Sequence, residues 1–162
     1  MAAWKPIRNL LFMGLFAVML AACNSTDDAP DDLFQFKDAY VGDNSAVGNL
    51  IGRLPGNMNV KQILLETQTE PYGVVIDYED AMTEEERKEI AIHNASFIFA
   101  LIQNADRATF NFSEHPYSIT RSELQEWYGT ELRDISTESE LRDLIQSHLD
   151  DPEKADPFQG AA

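Results

Sequence analysis

A single cysteine, Cys23, closes the run Leu20-Ala21-Ala22-Cys23, and it constrains the chain in two ways. No second cysteine exists to pair with it, so no intramolecular disulfide can staple the fold. Whatever folds must rest on its hydrophobic core alone. The position of Cys23 also marks a boundary. Lys5 and Arg8 precede an apolar stretch from Leu10 to Leu20, and small residues follow. This is the layout of a secretory signal peptide. A cysteine directly after the small pair makes it a lipoprotein signal, in which the Cys23 thiol is alkylated by lipid and cleavage leaves Cys23 as the new N-terminus. The apolar stretch falls short of the roughly 20 residues that a membrane span needs.

Residues 1–22 are therefore expected to be removed, leaving 140 residues, enough for one domain with a modest core. The mature chain holds 10 basic and 28 acidic residues, a net charge of −18. Residues 23–32 read as the lipidated cysteine and an acidic flexible tether, with Pro30 and no apolar periodicity. About nine extended residues at ~3.4 Å each reach roughly 30 Å, enough to lift a small domain off the headgroups. Residues 150–162 read as an acidic disordered tail. The segment between, 33–149, still carries 20 acids against 9 bases. That balance argues against nucleic acid, whose binding needs a basic footprint. It also argues against charge-driven adhesion to anionic lipid. The membrane is then a partner only through the lipid on Cys23, and one acyl chain binds marginally, so a second such as palmitate is expected.

The pattern along 33–149 alternates between helical and strand periods. Asp43 or Asn44 caps a short helix carrying Val47, Leu50, Ile51 and Leu54, which Pro55-Gly56 stops. In Val60 to Thr67, Ile63 and Leu65 oppose Leu64, and in Val74 to Glu79 the residues Val74, Ile76 and Tyr78 alternate against Val75, Asp77 and Glu79. Glu70-Pro71-Tyr72-Gly73 joins these two strands as a turn. Thr83 with Glu86 is a capping box opening a long helix to about Asn104, with Ile90, Phe97, Ile98, Leu101 and Ala105 on one stripe. Phe110 and Phe112 mark a third strand, and Tyr117 to Ile119 extends or pairs with it. Thr120/Glu123 and Thr137/Glu140 open two further helices, the first ended by Gly129. The fold expected is α+β, a small antiparallel sheet of about three to four strands covered by the long helix and shorter ones.

Catalytic signatures are thin. His93, His115 and His148 lack a metal-binding spacing, and no nucleophile elbow or glycine-rich phosphate loop occurs. Asp77, Glu79 and Asp80 cluster at a strand end, where carboxylate oxygens suit hard cations, but the spacing is not that of a calcium loop. With His115 they form the only set from which a metal-dependent or hydrolytic envelope enzyme would be built. No catalytic residue, metal ligand or cofactor is assigned. Asn94-Ala95-Ser96 matches a glycosylation sequon, by chance in the middle of a helix. Exposed aromatics often anchor partners, which makes Glu70, Pro71, Tyr72 and Gly73, together with Trp127 and Tyr128, the candidate contact residues. Their alternative role is to close the edge of the core.

One pattern resembles a known family. Tyr40-Val41-Gly42-Asp43-Asn44-Ser45, then Asn49-Leu50-Ile51, Leu54-Pro55 and Leu65-Glu66-Thr67-Gln68 lead to Glu70-Pro71-Tyr72-Gly73 and Asp77-Tyr78-Glu79. Over roughly 33–135 this resembles domain of unknown function family 4825, found in extracytoplasmic lipoproteins of Gram-positive bacteria. The resemblance implies a sensing or regulatory role at the outer face of the cytoplasmic membrane and supplies no catalytic residues. The expectation is a membrane-anchored binding, sensing or regulatory module with an envelope or membrane protein partner. The alternatives are the envelope enzyme or an accessory subunit of an envelope complex, which would show a large apolar patch.

Overall fold

Two strands whose apolar residues alternate must turn those residues to one side, and they do. The structure, a computed structural model, describes residues 32–79, 82–112 and 116–151. Residues 1–22, expected to form a signal peptide, Cys23, nearly all of the expected tether, Asp80, His115 and the expected acidic tail from 152 lie outside the described residues. Strand β1 (Val60–Glu66) pairs antiparallel with β2 (Gly73–Tyr78), with Leu64 opposite Val75 and Glu66 opposite Gly73. Val74, Ile76 and Tyr78 are buried, Ile63 and Leu65 pack beside them, and Leu64 on the other face is 47 % exposed.

Helix α1 (Asn44–Ile51) precedes the sheet, and Asp43 caps it by accepting the Ala46 N–H at 3.0 Å. It ends at Gly52, earlier than Pro55-Gly56, and Leu54 is buried from the turn that follows. Gly56 takes φ 77°, with Ile90 and Tyr78 side chains close around it. Helix α2 (Glu84–Leu101) opens with the full capping box of Thr83 and Glu86. This leaves the Glu86 carboxyl below its usual pKa, because it accepts the Thr83 backbone N–H and hydroxyl.

The 18 residues of α2 carry the chain about 27 Å. That length returns it to the end of the sheet where β2 began. Strand β3 (Arg107–Asn111) therefore lies parallel to β2, with Arg107 beside Gly73. The sheet is mixed where an antiparallel one was expected, since the long helix is a crossover connection rather than a hairpin. Strand β4 (Pro116–Thr120) pairs antiparallel with β3, giving the order β1-β2-β3-β4 with β1 and β4 at the edges. The α+β class holds, with four strands and the helices on one side of the sheet.

Helix α3 (Arg121–Tyr128) is opened by the Thr120/Glu123 box and closed by Gly129 at φ 70°. Helix α4 (Glu138–Leu149) is capped by Thr137, which accepts the Glu140 N–H at 3.2 Å. Glu140 returns to the Ser136 N–H at 3.1 Å rather than to Thr137, so this third box is not reciprocal. The helices pack behind α2, which touches β3 and β4 on one side and α3, α4 and the Leu132–Asp134 turn on the others. From Ala91 to Leu101 every α2 residue but His93 is buried, so the expected stripe is widened to the whole circumference. Phe97, Phe99 and Phe110 are fully buried, each contributing about 1.5–3 kcal/mol. Among the described residues no helix is long and apolar enough to cross a membrane.

Enclosing α2 leaves its C-terminal carbonyls in need of partners. Arg121 supplies them from Nη1 to Phe99 O and from Nη2 to Ile102 O at 2.8 Å, and its Nε donates to Ala105 O at 2.9 Å in the connection beyond the helix. Its guanidinium also lies 5.3 Å over the Phe99 ring. Nearby, Lys37 donates to the carbonyls of Arg133 and Ile135, and Arg133 pairs with Asp38 at 2.6 Å. Cations here also complement the helix dipole.

Candidate functional site

The turn between β1 and β2 is held from below and open above. Tyr72 O accepts the N–H groups of Asp106 at 2.9 Å and Arg107 at 3.2 Å, tying the turn to the start of β3. Tyr72 is itself half-buried, while Glu70 and Pro71, joined by a cis peptide bond, are exposed. Gly73 is buried between two strands and has no side chain to offer a partner. Its role is to let Glu66 of β1 reach over it to Arg107 of β3, an ion pair at 2.8 Å. A Cβ there would stand 2.6 Å from Glu66 Oε2 and 3.2 Å from Arg107 O. Both partners are partly exposed, so the pair is worth less than about 1 kcal/mol.

The sheet face away from the helices carries Leu64, Val75, Asp77, Thr109, Asn111 and Ser118, none of them buried. Asp77 accepts from Asn111 Nδ2 at 2.7 Å, a cross-strand pair of neutral amide and carboxylate. Glu79 is exposed just past β2, and its N–H donates to Asn59 O at 2.7 Å. Asp80 and His115, the other half of the carboxylate-histidine set, lie outside the described residues. Among the described residues no group of three or more His, Cys, Asp or Glu is placed to hold a metal ion.

The second aromatic group belongs to the helix layer. Tyr128 is only 7 % exposed, and its hydroxyl pairs with Ser96 Oγ of α2 at 2.8 Å. Burial pushes its phenol well above the usual pKa, partly opposed by that hydrogen bond. Tyr128 is thus buried in the core, where Ser96 supplies the partner that its hydroxyl needs away from water. Trp127 is half-buried, its ring 4.8 Å from that of Tyr128 and 5.0 Å from that of His148. Of the two roles open to this pair, closing the core's edge is the one the packing shows.

Asn94 is 1 % exposed, which puts the sequon out of reach of any glycan transfer in the folded chain. Its Nδ2 donates to Pro55 O at 3.0 Å and to the Tyr78 hydroxyl at 3.1 Å. Burial raises the Tyr78 phenol to about 12, against the lowering effect of that hydrogen bond.

His93, one of the three histidines without a metal-binding spacing, has a tertiary partner. It lies in the wall of an open pocket of about 370 Å³, with Pro55, Gly56, Asn59, Met82 and Ile90. Its ring stacks on Phe97 at 4.9 Å, and its Nε2 is 3.3 Å from Arg142 Nη1 of α4. Burial, and then the charge of Arg142, bring its pKa down to about 4. Arg142 is 49 residues away in the chain, and no local spacing signals such a pair.

These features define a small α+β domain with a mixed sheet, one edge strand beside an exposed turn, and a long helix whose C-terminal half, from Ala91, is buried apart from His93. Residues 33–122, more than half of the chain, match the model of the domain of unknown function DUF4825, and the chain belongs to that family. No curated protein and no solved structure matches it. The matched stretch runs from the first turn at Leu33 through β4, so most of α3 and all of α4 lie beyond it.

Proposed function

We propose that this chain is a membrane-anchored extracytoplasmic lipoprotein acting as a binding, sensing or regulatory module. The lipid on Cys23 holds it at the outer face of the cytoplasmic membrane of a Gram-positive bacterium, and its partner is another envelope or membrane protein. The Leu20–Cys23 run and the family's resemblance to such lipoproteins support the anchoring.

The observation that carries the binding role is the edge of β1 beside the turn, which no other strand among the described residues pairs with. An edge strand offers unpaired backbone N–H and C=O groups to an incoming strand. Leu64 adds exposed apolar surface at that edge, and Glu70 and Pro71 project next to it.

The test is crosslinking in living cells from photoreactive residues at positions 64 and 72, with position 143 on the exposed side of α4 as control. One recurring membrane or envelope protein captured at 64 and 72 but not at 143 is the expected result. Equal capture at all three, or none from a folded and anchored protein, refutes the docking edge. Cys23→Ala separates the anchoring from the binding. It should release the protein or leave an unprocessed precursor, and unchanged membrane-bound mature protein would refute the lipid attachment.

A further inference from the structure

We infer that α4 is a latch that acid releases from α2 through protonation of His93. The inference rests on a chain of contacts independent of the anchoring and of the β1 edge. Arginine has only donors, so the 3.3 Å contact requires Nε2 of His93 to be the acceptor. The ring's single proton then sits on Nδ1, a buried atom, and the Asn94 side chain beside the ring opposes the lowering of its pKa. Arg142 is oriented by Glu138 at 2.6 Å and lies 5.1 Å over the Phe97 ring on which His93 stacks. Glu138 also accepts the Leu33 N–H at 2.7 Å, at the point where the domain begins. One network therefore joins α2, α4 and the start of the domain.

A second ring proton removes the acceptor and sets two cations against each other at that distance. The charged groups facing the ring from α4 are Arg142 and Glu138. On α2 itself, Glu86 and Glu89 line the same pocket, and Pro55, Gly56, Asn59 and Met82 bring no charge. Glu138 is already engaged by Arg142 and by Leu33, so it does not neutralise a new charge without giving one of them up. Undocking α4 returns the ring to water.

The sign follows from linkage. The docked ring has a pKa near 4, and the released ring has the ordinary 6.5. The released state binds more protons between these values, so docking is strongest above pH 6.5 and weakens as pH falls toward 4. Between pH 7 and pH 5 the released fraction should rise about 20-fold.

Hydrogen exchange of the full chain, read by mass spectrometry and corrected for the intrinsic rate, measures this opening. Amides of α4 should open more readily than those of β2 and β3, and their opening should rise about 20-fold from pH 7 to pH 5. In His93→Gln the rise should vanish. Exchange of α4 only together with β2 and β3, or the same rise in the variant, would overturn the latch. If His93→Gln does not fold, an NMR titration of the His93 ring in the unaltered protein decides. A midpoint near 6.5 in the folded state overturns the inference, and one near 4 with line broadening in α4 supports it.

Discussion

Arg121 offers the sharpest test of how the core is closed. It stands in the first turn of α3, where the helix dipole disfavours a cation, so its place is explained by what it does for α2. Two of its donors serve the Phe99 and Ile102 carbonyls at the C-terminal end of α2, and the third serves the Ala105 carbonyl in the connection to β3. Hydrogen bonds from a charged donor contribute about 1.5–3 kcal/mol each. The guanidinium is partly exposed, and water replaces some of what is lost, so Arg121→Met should cost about 3–4 kcal/mol while keeping the stem over Phe99. Desolvation lowers the guanidinium's pKa, and the Asp106 carboxylate opposes this. Arg121→Lys keeps a charge but presents a point ammonium instead of a planar fork, so it should recover only about half of the loss. Urea unfolding at pH 7, with the slope of the transition unchanged, gives both figures. A loss under about 1 kcal/mol for Arg121→Met, or wild-type stability for Arg121→Lys, would refute the argument that this side chain caps α2.

Gly73→Ala should cost about 1–2 kcal/mol, because Glu66 can swing away from the new methyl but the Arg107 carbonyl 3.2 Å off cannot. Adding Glu66→Ala to that variant should cost nothing more, and a further loss in the melting temperature would show that the ion pair survives beside a Cβ. Ser96→Ala strands the buried Tyr128 hydroxyl and should cost about 1–3 kcal/mol. Tyr128→Phe should cost less, since Ser96 still donates to Ile92 O at 2.7 Å. A double-mutant cycle with no coupling between the two would remove the hydroxyl pair as a reason for burying Tyr128.

Much of the architecture was legible because it is local. Thr83 with Glu86 and Thr120 with Glu123 bond across three residues, and the structure has both boxes. Alternation in Val74, Ile76 and Tyr78 placed β2 and named its inward face. The turn was legible in part: Glu70 and Pro71 are exposed as a turn should be, while Tyr72 and Gly73 are drawn inward by bonds to β3. Trp127-Tyr128 leaves two roles open in the sequence, contact or closing the core's edge, because an aromatic pair before a glycine reads the same whether it faces water or Ser96, and only Tyr128 is buried.

By itself the sequence determined the caps, the turns, the strand faces and the need for a core without disulfides, since each depends on residues within one or two turns of each other. Only the tertiary structure decided that β3 runs parallel to β2, that the C-terminal half of α2 is buried around nearly its whole circumference, and that His93 meets Arg142. Those outcomes depend on where a long helix delivers the chain and on which distant carbonyls, hydroxyls and charges must then be satisfied away from water, which no local pattern encodes.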